Sequence, residues 1–315
     1  MIRQSVLTAM ISWDSSTYNH ASSNSLVFYP TTEPSFSSKQ AISLQFDSVA
    51  PGSGITGRLS CYSSPVFPKQ MAFQGIVVIF DFDRTLIDDD SDRWVVTQME
   101  LTEVFNQLRP SLPWNTLMDR MMKELYLRGK TVDDIANCLR KTPLDSHIIA
   151  AIKAAHSLGC DMKIVSDANQ FFIETILEQH GLLGCFSEIF TNPTLVDEGV
   201  LRILPYHAST SSPHACNLCP SNLCKGLVLE SIHASAPKSK KQRVIYLGDG
   251  RGDFCPTLKL GGGDFVMPRK NYPLWDLICS NPKVKAEVHE WSTAKGLEKI
   301  LLHLINTTPI KAKNF

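Results

Sequence analysis

The apolar residues of this chain occur in short segments that alternate between two spacings. Ile76–Phe80 form a continuous apolar run with four β-branched members, a pattern typical of a strand buried on both faces. Similar runs alternate with segments of helical spacing, as where strand DMKIVSDAN precedes helix FFIETILEQHG. Because such alternation builds a sheet covered on both sides, the pattern predicts an α/β fold with a doubly wound, mostly parallel sheet. The other predicted elements are strand EIFTN, a loop region, helix CKGLVLESIHASA, strand RVIYLGDG, helix DFCPTLKL, strand DFVM and further helices.

One long stretch interrupts this alternation, because the segment after the first strand contains no convincing strand. Asp92–Leu108 has a helical pattern, and Pro113–Arg128 has a proline at a helix start and a glycine directly after its end. Thr131 then precedes two acidic residues in the first turn of another helix, and Asp145–Leu158 is predicted to be the helix that leads back to the sheet. The sequence therefore predicts a helical insertion over residues 92–144.

Residues 1–70 differ from the rest of the chain in composition and pattern. They are rich in Ser and Thr, contain only three acidic residues, and keep no helical or strand period. A Ser-rich, acid-poor segment resembles an organelle transit peptide, although this one has few of the arginines that such peptides carry. The alternative is a disordered extension upstream of the working start, because MAFQGIVVIFDFD from Met71 resembles a natural N-terminus. Either interpretation excludes the segment from the fold.

Composition narrows the classes of function. The chain of 315 residues has 31 Lys and Arg against 31 Asp and Glu, so its formal net charge is zero and it lacks the basic excess of nucleic-acid-binding proteins. No apolar run approaches the roughly 18 residues that suggest a membrane span. The nine cysteines are odd in number and several lie in predicted elements, which favours a reducing intracellular compartment. We therefore expect a cytoplasmic protein, or a plastid protein if the N-terminal segment is a transit peptide.

Two acidic residues end the first predicted strand, although acids are depleted from strands and rarely buried without a partner. Asp81 and Asp83 directly follow the apolar run in FDFDRT. Because residues two apart in a strand point the same way, both carboxylates are expected to face one point beyond its carboxyl end. Ligands of open α/β sheets bind at that end. The alternative is that the two acids merely cap a turn. Further polar groups at the ends of other predicted elements argue against it.

Three further segments bring such groups. Ser166 follows the apolar part of KIVSDAN, Lys225 begins a predicted helix, and VIYLGDGRGD places Asp249 at a strand end and Asp253 at a helix start. These residue types suit phosphoryl transfer: one carboxylate can attack phosphorus, and a second can protonate the leaving oxygen and then activate water. Carboxylate oxygens can hold Mg²⁺, while a hydroxyl and an ammonium can hold the phosphate.

In order and placement, DFDRT, Ser166, Lys225 and GDGRGD resemble the four motifs of the haloacid dehalogenase (HAD) superfamily of phosphatases. The resemblance covers about Ile76 to His303. It implies a HAD-like Rossmannoid core formed by residues 75–91 and 145–305, with the helical insertion 92–144 as a small cap domain over the site. A catalytically silent protein on the same fold is the rival hypothesis, and the complete set of catalytic residue types argues against it.

Finer motifs resemble one branch of this superfamily, the phosphoethanolamine/phosphocholine phosphatases, and within it plant members described as thiamine phosphate phosphatase-like or as pyrophosphatases. The motifs are DFDRTLIDDDSDRWVV, PWNTLMDRMMKEL, KIVSDANQFFIE, CPSNLCKG, YLGDGRGDFCP and VMPRKNYPLWDLI. By that resemblance the protein is an Mg²⁺-dependent phosphatase of small soluble phosphate esters, with thiamine monophosphate as the expected substrate and phosphocholine, phosphoethanolamine or pyrophosphate as alternatives.

The same resemblance assigns roles to individual residues. It implies that Asp81 is the nucleophile and an Mg²⁺ ligand, and that Asp83 is the general acid and base and binds Mg²⁺ through its backbone carbonyl. Asp249 is implied as the third protein ligand, with Asp253 orienting Asp249 or a metal-bound water. Two further residues, Ser166 and Lys225, are implied to bind the phosphate.

Two more acids are candidates for substrate selection. The branch uses the positions of Asp92 and Asp167 to contact substrate, and carboxylates facing a cavity attract a cationic group such as a choline, an ethanolamine or a thiazolium. The alternatives are a helix N-cap for Asp92 and a turn residue for Asp167. For Asp88–Asp90 a solvated acidic loop is favoured.

The segment HACNLCPSNLC suggests a separate possibility. His214, Cys216, Cys219 and Cys224 have a spacing compatible with a tetrahedral zinc site. No second CxxC pair exists and Cys224 adjoins Lys225, so a reduced structural loop beside the active site is favoured over structural zinc or a zinc-organised interaction module.

We expect a chain shortened to begin at Met71 to fold and to turn over substrate like the full chain, because residues 1–70 lack the apolar pattern needed to join a core. Thermal melting and steady-state kinetics of the two forms provide the measurement. A clear fall in melting temperature on truncation would show that the segment contributes to the folded core.

Overall fold

The computed structural model describes residues 75–207, 214–235 and 242–307, and the segment predicted over residues 1–70 lies outside them. The strands are β1 Ile76–Phe80, β2 Asp161–Asn169, β3 Glu188–Asn192, β4 Thr194–Asp197, β5 Val200–Ile203, β6 Arg243–Gly248, β7 Phe265–Pro268 and β8 Glu287–Val288. The α-helices are α1 Ser91–Gln98, α2 Thr102–Leu108, α3 Trp114–Leu127, α4 Val132–Leu139, α5 Ser146–Ser157, α6 Gln170–Gln179, α7 Lys225–Ser235, α8 Phe254–Thr257, α9 Pro273–Cys279 and α10 Ala294–Thr307.

The main sheet has six parallel strands in the order β3-β2-β1-β6-β7-β8, which confirms the predicted doubly wound sheet. Strand β1 lies in its interior, with Phe80 paired to Ile164 of β2 on one side and to Leu247 of β6 on the other. Parallel strands end at the same edge of a sheet, so this pairing brings the carboxyl ends of β1, β2 and β6 together.

Both faces of β1 are buried, which explains its unbroken apolar run. Val78 and Phe80 belong to one core cluster, whereas Val77 and Ile79 belong to a second cluster on the opposite face of the sheet. All four side chains are at most 1% exposed. Because successive side chains of a strand alternate between faces, a strand covered on both sides needs apolar residues at every position.

The prediction of one helix over Asp92–Leu108 is wrong, because the chain forms two helices there. Helix α1 ends as Glu100 adopts φ of 60°, and the backbone N–H groups of Glu100 and Leu101 return to the carbonyls of Thr97 and Val96. This left-handed termination turns the chain so that Leu101 is completely buried. Core packing therefore overrides a helical pattern that runs through the break.

The other helix boundaries of the insertion follow their sequence signals. Thr131 caps α4 with a reciprocal pair of hydrogen bonds to Asp134, and the Asp145 carboxylate caps α5 by accepting from the N–H of His147. Gly129, with φ of 74°, ends the turn after α3 as predicted.

A β-hairpin occupies part of the region predicted as a loop after β3. Strands β4 and β5 pair antiparallel around a turn in which Glu198 and Gly199 have φ of 48° and 82°. Arg202 of β5 donates two hydrogen bonds to the Asp119 carboxylate of α3, at 2.9 and 2.8 Å. The hairpin thus packs against the helical insertion, although the two segments are far apart in the sequence.

In the described residues no helix has the length and apolar character needed to cross a bilayer.

Candidate active site

Polar side chains from four elements meet at the carboxyl edge of the sheet. Asp81 follows β1, Ser166 lies in β2 where the pairing with β3 becomes irregular, Asp249 follows β6, and Lys225 begins α7. They border a cavity of about 270 Å³. The residues lining this cavity are Asp81, Asp83, Arg84, Asp90, Asp92, Trp114, Ser166, Asp167, Ala168, Lys225, Asp249, Gly250, Gly252 and Asp253. Every catalytic, Mg²⁺-binding and substrate-binding residue predicted from the sequence therefore lies at one cavity.

Lys225 is the cation at the centre of this site. It is the first residue of α7 and is only 5% exposed, and its Nζ lies 2.8 Å from Asp81 Oδ1 and 2.8 Å from Asp253 Oδ1. Burial alone would lower the pKa of Lys225, but the charges of Asp253 and Asp81 reverse this and raise it above the ordinary value. The ammonium is thus held in its charged form beside the predicted nucleophile.

Asp253 is the residue that fixes this ammonium. It is completely buried; its Oδ1 accepts from Lys225 and, at 2.7 Å, from the hydroxyl of Tyr246, while Oδ2 accepts from the Gly250 N–H at 3.0 Å. A Cβ at Gly248 would lie 2.5 Å from the Asp253 carboxyl carbon, so the close approach requires glycine there. Sequence reasoning missed Tyr246, whose signal was a hydroxyl within the apolar run VIYL of β6.

Three carboxylates form a group that suits a hard divalent cation. Asp81, Asp249 and Asp253 are buried and offer oxygen atoms that all lie within 4.8 Å of one another. Together with Lys225 they carry a formal charge of −2, which a divalent ion would neutralise. Burial, and next the charge of Asp253, raise the pKa of Asp249 to about 6, and the same two causes raise that of Asp81 well above its usual range. This crowding of negative charge is what a bound cation would relieve.

Asp83 faces the cavity from the turn after β1. Arg84 there has φ of 56°, and Asp83 Oδ1 accepts a hydrogen bond from the Ser91 backbone N–H at 2.8 Å. Burial, followed by the charges of Asp90 and Asp92, raises the pKa of Asp83 well above its ordinary value. A raised pKa favours the protonated form that a general acid requires.

Asp92 is not the cap of its helix, so the N-cap alternative is wrong. Asp90 caps α1 by accepting from the Arg93 N–H, whereas Asp92 lies in the first turn and accepts from Trp114 Nε1 at 2.5 Å. Among the described residues its other oxygen, Oδ1, is buried without a hydrogen-bond partner. Burial and the charge of Asp90 raise the pKa of Asp92. A buried acceptor without a partner at a cavity wall has unused capacity to bind.

The prediction of a solvated acidic loop holds for part of Asp88–Asp90 only. The Asp88 side chain is 84% exposed and pairs with Arg269, but Asp90 is buried and its carboxylate pairs with Arg84 at 3.0 Å. An acid that caps a helix inside the protein needs such a partner. The sequence did not indicate this ion pair, because Arg84 and Asp90 lie at opposite ends of the turn after β1.

Asp167 is held by two amide side chains that sequence reasoning missed. Its Oδ1 accepts from Asn222 Nδ2 at 2.5 Å and from Asn192 Nδ2 at 3.2 Å. Asp167 follows Ser166, which is 1% exposed and whose Oγ accepts from the Ala168 N–H at 3.3 Å. Burial raises the pKa of Asp167, against the hydrogen bond from Asn222. The amides therefore fix the orientation of this carboxylate at the cavity.

Comparisons with known proteins agree with this geometry. A model of the putative phosphatase family matches residues 76–305. A thiamine phosphate phosphatase-like protein from Arabidopsis thaliana is 66% identical over 235 residues, which are 74% of this chain and 96% of that protein. Inorganic pyrophosphatase 2 from the same plant is 55% identical over 234 residues, which are 73% of this chain and 84% of that protein.

A solved structure is similar in fold. A HAD family hydrolase from Salmonella enterica superposes with a TM-score of 0.51 at 16% sequence identity, over 76% of this chain and 74% of the other. At that identity the likeness concerns the fold alone. The family match and the sequence relatives carry the functional argument.

Proposed function

We propose a substrate class and a mechanism for this chain, which belongs to the putative phosphatase family and is a phosphoric monoester hydrolase of the HAD type. The proposed reaction is Mg²⁺-dependent hydrolysis of a small phosphate monoester that carries a cationic group, through an aspartyl-phosphate on Asp81. Thiamine monophosphate is the proposed substrate. The observation that carries the mechanism is the 2.8 Å contact between Lys225 Nζ and Asp81 Oδ1, two buried side chains that line the cavity.

The first half of the reaction transfers the phosphoryl group to the protein. A carboxylate oxygen of Asp81 forms a bond to phosphorus as the bond from phosphorus to the ester oxygen breaks, and Asp83 gives its proton to that leaving oxygen. Lys225 and the Ser166 hydroxyl bind the phosphoryl oxygens, so that the negative charge of the transition state is met by groups already in place.

The second half restores the enzyme. Asp83, now ionised, takes a proton from water, the water oxygen attacks phosphorus, and the bond between phosphorus and Asp81 breaks to release inorganic phosphate. Mg²⁺, held by Asp81 and Asp249 with the Asp83 carbonyl, would supply neutralisation of phosphate charge. Asp253 already accepts three hydrogen bonds, so its part is to position Lys225 beside Asp81.

The proposed preference for a cationic substrate comes from the acidic wall of the cavity. Asp92 brings a buried carboxylate oxygen that has no hydrogen-bond partner within the described part of the chain, and Asp167 brings a carboxylate fixed by Asn192 and Asn222. A cation placed beside these groups would stabilise their ionised forms, whereas a second phosphate would be repelled. The 66% identical relative named thiamine phosphate phosphatase-like supports a thiazolium in that place.

Inorganic pyrophosphate is the second candidate substrate, because the relative named inorganic pyrophosphatase 2 is 55% identical over most of both chains. A phosphate-release screen separates the candidates: thiamine monophosphate, phosphocholine, phosphoethanolamine and pyrophosphate, each with Mg²⁺ and with the metal chelated. We expect thiamine monophosphate to have the highest kcat/KM. A preference for pyrophosphate by orders of magnitude would overturn the cationic-substrate proposal and leave the phosphatase mechanism intact.

Asp92→Asn tests charge selection directly, because it removes one negative charge with little change of shape. A charge-assisted contact contributes about 1.5–3 kcal/mol, so kcat/KM for thiamine monophosphate and phosphocholine should fall roughly tenfold to a hundredfold. Pyrophosphate, whose leaving half is anionic, should lose little or gain. Asp89 is an exposed acid of the same loop, so Asp89→Asn is the matched control. It should leave kcat/KM unchanged for both classes of substrate. An equal loss for both classes would make Asp92 a structural residue.

A further inference from the structure

Four cysteines from two separate parts of the chain meet beside the active site. The sulfur atoms of Cys216, Cys219, Cys224 and Cys255 all lie within 4.8 Å of one another. Cys216 and Cys219 lie in the loop before α7, Cys224 directly precedes that helix, and Cys255 belongs to α8. Two of the four are buried and two are partly exposed, and all four are free thiols.

The spacing of the sulfurs is that of a metal site. The Cys216 and Cys255 sulfurs are 3.6 Å apart, and those of Cys224 and Cys255 are 4.0 Å apart. Four sulfurs that bind zinc tetrahedrally at about 2.3 Å are held about 3.8 Å from one another. A disulfide requires about 2.05 Å, so these pairs are not bonded to each other.

The fourth member of the cluster is Cys255, where the sequence suggested His214. The His214 ring faces the Pro220 carbonyl through Nε2 and the Cys216 N–H through Nδ1, at 2.9 and 3.3 Å, and contributes no atom to the group. Cys255 was missed because it lies in the fourth motif, far along the chain. Its thiol completes a set of four soft ligands, which is the set that structural zinc takes.

Two features of α7 make room for the cluster and support it. A Cβ on Gly226 would lie 2.5 Å from the Cys255 sulfur, so the approach of α8 to the start of α7 depends on glycine at that position. The backbone N–H of Leu227 donates a hydrogen bond to the Cys224 carbonyl at 3.0 Å, so the first turn of α7 fixes the backbone that carries the Cys224 sulfur.

We propose that Cys216, Cys219, Cys224 and Cys255 bind one structural Zn²⁺, distinct from the oxygen-lined Mg²⁺ site. Binding forms four Zn–S bonds and releases the four thiol protons to solvent. The zinc ties the loop and the start of α7 to α8. Cys224 adjoins Lys225, and Cys255 lies two residues after Asp253, so the zinc fixes the two elements whose residues meet at 2.8 Å in the active site.

The test begins with the unaltered full chain, produced with zinc in the medium and purified in the presence of Mg²⁺ and reductant. Elemental analysis should find one zinc per chain, and it should remain after dialysis against Mg²⁺. Replacement by Co²⁺ should give the sulfur-to-cobalt charge-transfer band and the strong visible bands of a tetrahedral four-thiolate site. Removal of zinc by a thiol-reactive mercurial should lower the melting temperature, because binding energy at a structural site contributes to folding.

Variants then identify the ligands. Cys216→Ser and Cys255→Ser should each retain less than about a tenth of the wild-type zinc after dialysis against a chelator, since a structural site needs all four ligands. Cys279→Ser, at an exposed cysteine outside the cluster, and His214→Ala should keep one zinc per chain. A zinc-free wild-type protein, or full zinc in both ligand variants, would overturn the proposal. The wild-type metal content and cobalt spectrum decide the matter even if a variant fails to fold.

Discussion

Asp81→Asn should abolish phosphate release from every substrate, with a loss of kcat on the order of 10⁴-fold or more. An amide nitrogen or oxygen in place of the carboxylate cannot form the phosphoryl bond, and it is also a poorer ligand for Mg²⁺. The change keeps the shape of a side chain that is 7% exposed and 2.8 Å from Lys225, so the cavity should survive it. Burst-phase and steady-state assays of phosphate release provide the measurement.

Asp88→Asn is the matched control for this experiment. Asp88 belongs to the same acidic segment, but its side chain is 84% exposed and does not line the cavity, so the variant should keep wild-type kcat. Trapping of a labelled phosphoryl group on the wild-type protein by acid quench, and its absence from Asp81→Asn, would locate the covalent bond. Substantial turnover by Asp81→Asn would exclude Asp81 as the nucleophile.

The residues of the site that could be predicted from the sequence are those that a local pattern of neighbouring residues marks. The apolar run of β1 had to be buried on both faces, and that fixed where Asp81 emerges and made the carboxyl edge of the sheet the place to look. Lys225 and Asp249 were found in the same way, as polar groups at the ends of elements. The parallel order of the strands then brought them together.

What could not be predicted are the contacts between residues far apart in the chain. Trp114 reaches Asp92 across 22 positions and Asn222 reaches Asp167 across 55, and no period or spacing in the sequence connects these pairs. The contact of Cys255 with the other three cysteines was missed for the same reason, because no spacing in the sequence connects it to them. The break at Glu100 was hidden because both helices it separates keep an apolar face toward one core.

The β4–β5 hairpin was missed for a related cause. Its strands have only four residues each and three of the four in β4 are exposed, so the alternation that marks a half-buried strand is weak. The hairpin gains its support from Arg202, which binds Asp119 of α3. A tertiary contact therefore stabilises an element that its own sequence barely indicates.

The second large effect is expected from Lys225→Met, which keeps the length and volume of the side chain but removes its charge. Phosphoryl oxygens would lose a cation fixed in a buried site, so kcat/KM should fall about 10²- to 10³-fold. Asp81 and Asp253 would lose their shared partner, and breaking a buried ion pair costs about 3–5 kcal/mol of unfolding free energy. Chemical denaturation and steady-state kinetics measure the two effects separately.

The effect of Mg²⁺ on the melting temperature distinguishes a lysine that supplies charge to the active site from one that only holds the fold together. The formal charge of Asp81, Asp249, Asp253 and residue 225 changes from −2 to −3 in Lys225→Met, so Mg²⁺ should raise the melting temperature of the variant by more than that of the wild type. Tyr246→Phe is the matched control, because it also removes a hydrogen bond to Asp253 but changes no charge. It should cost about 1–3 kcal/mol, leave the Mg²⁺ effect on melting unchanged and lower kcat/KM far less than Lys225→Met. A kcat/KM within tenfold of wild type in Lys225→Met would show that the lysine only holds the fold together, and the phosphate would then have to be bound by Ser166 and backbone amides alone.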